Sequence, residues 1–212
     1  MGVTLYYHGS LRQPQDVHGL ISELTDIATA NHWKYHVLDD PWDKEVTVKL
    51  VHDEGLARFV GNAGLKGIVL SPHPESEGVH LLFDKEGVLR SLLEMTDPPD
   101  KRDGFAFTKT QFAGIDVHIQ LVHLLEHIGK KYMQEWHLED DSGYMKHRDR
   151  ERALEVFHTI SDAINAITEA FDTIDIPENI KEDEAKFISL VEERIRTFLP
   201  GAEIMRVRDE EE

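Results

Sequence analysis

His123, Glu126 and His127 stand in the order H-x-x-E-H inside a stretch of helical periodicity. Residues four apart share a helix face, so the two imidazoles are placed to take two positions on one zinc ion, with Glu126 as general base on a bound water. A third protein ligand would complete the site, and the chemistry would be metal-dependent hydrolysis. The apolar stripe of this helix runs through Val117, Leu121, Leu124, Leu125, Ile128 and Tyr132. The opposite stripe carries Asp116, Gln120, His123, His127, Lys130 and Gln134. Both histidines therefore lie on the hydrophilic face, where a solvated role is the simpler expectation.

A second constellation is acidic. Asp140, Asp141 and Tyr144 follow the helix in a loop, the kind of segment on which a rigid scaffold commonly mounts function. Shifting the chain by about a hundred residues lays Asp16-Val17-His18 on Asp116-Val117-His118, Leu24 on Leu124, Leu38 on Leu138 and Asp40 on Asp140, which suggests two related strand-helix-strand halves, 1–40 and 104–140. If those halves pack side by side, Asp40, Asp140, Asp141 and Tyr144 border one cleft with shifted carboxylate pKa values, and His118 flanks it from the apolar stripe. The plainer reading makes the acids turn formers and His118 a hydrogen-bonded core histidine. His73, Glu75, Glu77 and His80 crowd a turn rich in proline and read as solvated.

The elements needed to hold these groups are legible in the patterning. Val3 to His8 alternates as a strand, and Val17, Leu20, Ile21, Leu24, Ile27 and Ala28 repeat at helical spacing after Pro14, predicting a helix over 14–31. Trp33 to Leu38 and Val46 to Leu50 read as strands, and the glycines at 55, 61, 64 and 67 as turns. Lys66–Ser71 and Gly78–Asp84 read as a hairpin; residues 88–95 fit strand or helix equally, and 97–103 is an exposed loop. Phe105–Thr110 is strand-like and the H-x-x-E-H helix follows over 115–133. Leu154, Phe157, Ile160, Ile164, Ile167 and Phe171 form one helical seam, and Phe187, Leu190, Val191, Ile195 and Phe198 another that ends before Pro200-Gly201.

The run Val122 to His127 locally resembles the zinc motif of the inverzincin metallopeptidases, the insulysin and pitrilysin group. The resemblance covers these few residues only. It implies a third ligand from a downstream glutamate, for which Glu192, Glu193 and Glu203 are the candidates. In that family the motif sits early in a much larger chain, whereas here it lies past the midpoint with Lys130 and Lys131 close behind.

Composition narrows the field. Cysteine is absent from the 212 residues, which excludes disulfide frameworks, thiolate nucleophiles and cysteine-ligated metals. There is no Gly-rich phosphate loop and no apolar stretch of membrane-spanning length. The net charge of −18, from 41 acidic against 23 basic residues, repels nucleic acid and anionic lipid and suits a basic protein partner. These readings predict a cytoplasmic α+β protein: a mainly antiparallel sheet of about five strands covered by two amphipathic helices within 1–148, a helical hairpin over 149–200 packed on it, and an acidic frayed tail over 201–212. The hairpin is the surface a homodimer would use. The expected function is non-catalytic, an interaction or regulatory role needing no cofactor. The alternative is a zinc hydrolase built on His123, Glu126 and His127.

Overall fold

Alternation along the first strand puts Leu5, Tyr7 and Leu11 on a buried side and Tyr6 and His8 on the other. In this computed structural model, which describes residues 2–53, 56–102 and 104–172, the elements follow in chain order: β1 (Thr4–Leu11), α1 (Asp16–Ala30), β2 (Lys34–Asp39), β3 (Lys49–Asp53), β4 (Leu56–Val60), β5 (Lys66–Ser71), β6 (Val79–Phe83), β7 (Phe105–Lys109), α2 (Ile115–Tyr132), β8 (Met133–Asp140), α3 (Tyr144–His147) and α4 (Arg150–Asp172). The chain is α+β, and its strand pairs are antiparallel. It divides into two compact units, one from Gly2 to Phe157 and the other taking up the chain from His158.

In the first unit β1 is central to the sheet β7-β1-β8. Both neighbours run antiparallel to β1, so β7 and β8 are parallel to each other and α2 is the crossover between them. The register sets Tyr6 opposite Phe107 on one side and Glu139 on the other, and His8 opposite Phe105 and His137. A second sheet has the order β2-β5-β6, and β3 pairs with β4 as a hairpin. The two larger sheets are stitched where β6 begins. Glu77 N–H donates to the Lys109 carbonyl (2.9 Å), Lys109 N–H donates to Glu77 Oε2 (2.9 Å), and Thr108 Oγ1 donates to the Gly78 carbonyl (3.0 Å).

One face of these sheets is covered. Val17, Leu20, Leu24 and Ala28 of α1 and Leu121, Leu125 and Ile128 of α2 pack with Leu5, Tyr7, Ile68, Leu70, Leu81 and Phe83 in the main core. Tyr7 is fully buried; its hydroxyl meets Thr108 Oγ1 (3.1 Å) and accepts the His80 N–H (3.0 Å), and burial pushes its pKa up to about 12. The reverse side of β5 and β6 has a smaller core of Val48, Ala63, Leu65, Leu82 and Met95. On the reverse side of β7-β1-β8, Phe105 and Phe107 are exposed.

Several details differ from the patterning. Eight strands occur among the described residues rather than about five, because β4 forms in the stretch read as glycine-bounded turns and β8 begins directly at the end of α2. The strand expected at 46–50 starts at Lys49, since Thr47 and Val48 donate instead to the Asn62 carbonyl. Residues 88–95 form neither a regular strand nor an α-helix: Val88 and Leu89 make single bridges to Ser10 and Phe83, and short 3-10 turns follow at Glu94–Thr96 and, within the stretch read as a loop, at Pro99–Lys101. The order strand-helix-strand does recur as β1-α1-β2 and β7-α2-β8, yet β8 closes on β1 whereas β2 closes on β5. In the second unit the described residues continue α4 to Asp172. The second arm of the expected hairpin and the acidic tail, with any homodimer surface there, lie outside the described residues.

Candidate functional site

The acidic loop and His118 do come together, as a buried network. His118 is fully buried on α2. Its Nε2 lies 2.8 Å from Asp140 Oδ1 and 3.0 Å from Ser142 Oγ, and its Nδ1 lies 2.7 Å from Thr110 Oγ1. The Phe157 ring meets the imidazole edge-on at 5.4 Å. Asp140 also accepts the Ser142 N–H on Oδ1 and the Met145 N–H on Oδ2, both at 2.7 Å. Burial alone would raise the Asp140 pKa; the bonds from His118, Met145 and Ser142 outweigh it and hold the carboxyl at about 2. With Asp140 ionised, the imidazole presents its Nε2 proton to the carboxylate.

Serine, histidine and aspartate are the residue types of a nucleophilic triad, but their arrangement serves another end. A triad sets hydroxyl and carboxylate on opposite imidazole nitrogens. Here Ser142 and Asp140 share Nε2, and Thr110 on Nδ1 is fully buried, so no substrate carbonyl can reach it. What the network does is clamp the end of β8 and the following turn to α2.

The H-x-x-E-H residues diverge. His127 Nε2 pairs with Glu23 Oε1 of α1 (2.8 Å), and Lys131 and Tyr132 bind the same carboxylate. Partial burial opposes ionisation of Glu23, but these three bonds prevail and lower its pKa to about 2. His123 instead contacts Tyr144, whose hydroxyl is 3.3 Å from Nε2, and Glu126 is ion-paired to Arg148. His123 and Glu126 remain 3.8 Å apart. Among the described residues no group of three or more histidine, aspartate or glutamate side chains is arranged to hold a metal ion. Glu192, Glu193 and Glu203 lie outside the described residues.

Asp40 stands apart from this assembly. Its Oδ2 accepts the Ala63 N–H (2.7 Å) and its own N–H donates to the Leu65 carbonyl, so it orders the loop entering β5. Asp141 goes the other way from Asp140 because successive strand-end residues face opposite sides. Burial raises its pKa, opposed by the Thr4 backbone N–H and, more weakly, by the Tyr6 hydroxyl beside its carboxylate.

That open face is the feature the patterning did not single out. Tyr6 stacks on Phe105 (ring centroids 5.8 Å), Phe107 lies 6.5 Å from Tyr6 and 6.3 Å from Phe105, and His8 stacks on His137 at 4.8 Å. Phe105 and Phe107 are 40% and 51% exposed. Both also line a cavity of about 580 Å³, within the range of small-molecule sites. Leu93 adds an apolar wall; Glu77, Glu94, Asp97 and Lys101 supply charge, and His80 is held below its usual pKa by burial, offset in part by Glu77. The alternation Phe105-x-Phe107 opposite Tyr6 was the available signal, but which side of a strand is covered depends on where the helices pack. No family model, curated protein or solved structure matches this chain.

Proposed function

We propose that this protein is a non-catalytic binding protein, cytoplasmic in setting, that engages a basic protein partner through the open face of β7-β1-β8. The observation that carries the reading is the cluster of Tyr6, Phe105 and Phe107, left uncovered beside a cavity on a face that a folded domain would otherwise bury. Aromatic residues dominate binding hot spots because they bury large area at small entropy cost. Acidic groups flank the cluster, with Glu135 and Glu139 exposed on β8, which suits a basic partner. The buried hydroxyls of the His118 network favour this reading over acyl transfer.

The test is site-specific photocrosslinking in cells with p-benzoylphenylalanine placed at Phe107 and, as control, at Phe112, which is 61% exposed on the segment after β7. The expected result is a discrete polypeptide adduct from position 107 alone, whose purified partner binds the native protein and loses at least about tenfold in affinity for Phe107→Ala. Equal adducts from both positions, or unchanged affinity of the variant, would refute it.

A further inference from the structure

We infer that the cavity beside β7 receives an arginine side chain of the partner, its guanidinium stacked on Phe105 or Phe107 and its N–H groups directed at Glu77 and Asp97. This rests on the binding reading above and names the group recognised. Charge complementarity selects a cation. Arg90 is shared between Asp84 (2.8 Å) and Glu94 (3.4 Å), so within the cavity lining Glu77, Asp97 and a partly compensated Glu94 are set against Lys101, and burial disfavours a charge on His80. The aromatic walls favour a planar cation, since a guanidinium can lie flat on a ring face while its edge still donates to carboxylates, which an ammonium cannot do. The volume exceeds one side chain, leaving room for the flanking backbone over Leu93.

Rings on adjacent strands of an open sheet can also stack the bases of single-stranded RNA. A polyanion, however, would have to settle among Glu77, Asp97, Glu135 and Glu139 on a chain of net charge −18, and that repulsion decides for the cation.

The experiment uses the isotope-labelled full chain, followed by amide NMR during titration with three probes: acetyl-Gly-Gly-Arg-Gly-Gly-amide, the same peptide with citrulline for arginine, and an octauridine RNA. The arginine peptide should give saturable shifts at His80, Phe105 and Phe107, and the neutral isostere should bind at least about tenfold more weakly. Phe107→Ala and Asp97→Asn should each weaken the arginine peptide by about fivefold or more. Because Phe107 is half-exposed the variant should fold, and dispersed amide shifts in its own spectrum check that it does. Equal binding of the citrulline peptide, shifts centred elsewhere, or no saturable shift would overturn the inference. So would octauridine binding that is lost in Phe107→Ala, which would make the face a base-stacking one. If the peptide fails while the crosslink at position 107 persists, the partner surface stands and the arginine assignment alone falls.

Discussion

Replacing Asp140 by asparagine probes the buried network most directly, and its size can be worked from the structure. The carboxylate accepts three N–H groups, from His118 Nε2, the Ser142 backbone and the Met145 backbone, with its side chain 1% exposed. In asparagine one oxygen is retained for His118 and Ser142, and the amide nitrogen that replaces Oδ2 faces the Met145 N–H donor to donor. A buried charge-assisted bond is lost and a buried donor is left unpaired, which together should cost about 3 kcal/mol at neutral pH. The pH dependence follows from the shift. Asp140 titrates at about 2 in the folded chain against 3.8 for the unfolded reference, so its ionisation contributes about 2 kcal/mol that is fully present above pH 3.8 and lost as pH falls through 2. The stability gap between native protein and Asp140→Asn should therefore narrow on acidification within that window. Urea unfolding by tryptophan fluorescence, which leaves ionic strength unchanged, reads both quantities. A loss under about 1 kcal/mol at neutral pH, or a gap that stays constant as the pH is lowered through that window, would refute the account.

Three further outcomes are expected. A Cβ on Gly129 of α2 would sit 2.2 Å from Trp136 Cδ1 on β8, so Gly129→Ala should destabilise by about 2 kcal/mol or more by thermal unfolding despite its better helix propensity. Glu23→Gln removes the charge and turns one of the two accepting oxygens that serve His127, Lys131 and Tyr132 into a donor, and should cost about 1–2 kcal/mol at neutral pH, a cost that fades in the comparison with native protein as pH falls from 4.5 toward 2. Elemental analysis of protein purified without a histidine tag should find no stoichiometric zinc, since His127 is engaged by Glu23 and His123 by Tyr144; one zinc per chain, lost in His123→Ala, would install the hydrolase in place of the binding protein.

Local patterning was sufficient wherever a periodic run was long and one-sided. The stripes Val17-Leu20-Leu24 and Leu121-Leu125-Ile128 located both covering helices, the alternation at β1 located that strand, and the apolar runs on either side of the Pro72–Glu77 turn located β5 and β6. It failed where long-range pairing overrode local signals. β4 is held by its register with β3, Phe59 opposite Leu50, in a stretch whose glycines read as turns. His118 was legible as a polar residue on the flank of an apolar stripe and Asp140 as an acid of the loop that follows the helix; Ser142 and Thr110 were not singled out, because nothing in their spacing shows that β8 and the end of β7 converge on one imidazole. The pairing of Asp40 with Asp140 failed for a related reason: equivalent positions in two strand-helix-strand units share a site only when both units close on the same strand, and β2 closes on β5.

The two acids that end β8 connect the clamp to the proposed binding face. Asp140 turns inward to His118 and is held by two backbone N–H groups and an imidazole, which fixes the direction of the strand end. Asp141, one residue on, is thereby committed to the opposite side, where its N–H donates to the Thr4 carbonyl (3.2 Å) and its carboxylate is held by the Thr4 backbone with the Tyr6 hydroxyl beside it. Tyr6 is the ring against which Phe105 and Phe107 are arrayed. A buried network with no access for substrate thus sets the geometry of an exposed aromatic cluster one layer away. Asp141→Asn, which keeps an acceptor for Tyr6, should leave the cluster intact, whereas Asp141→Ala should free the Tyr6 ring. Ring-proton NMR of Tyr6, Phe105 and Phe107 distinguishes them: loss of mutual contacts in the alanine variant alone supports the coupling, and unchanged contacts in both would show that the strand register, without the acid pair, is enough to hold the rings.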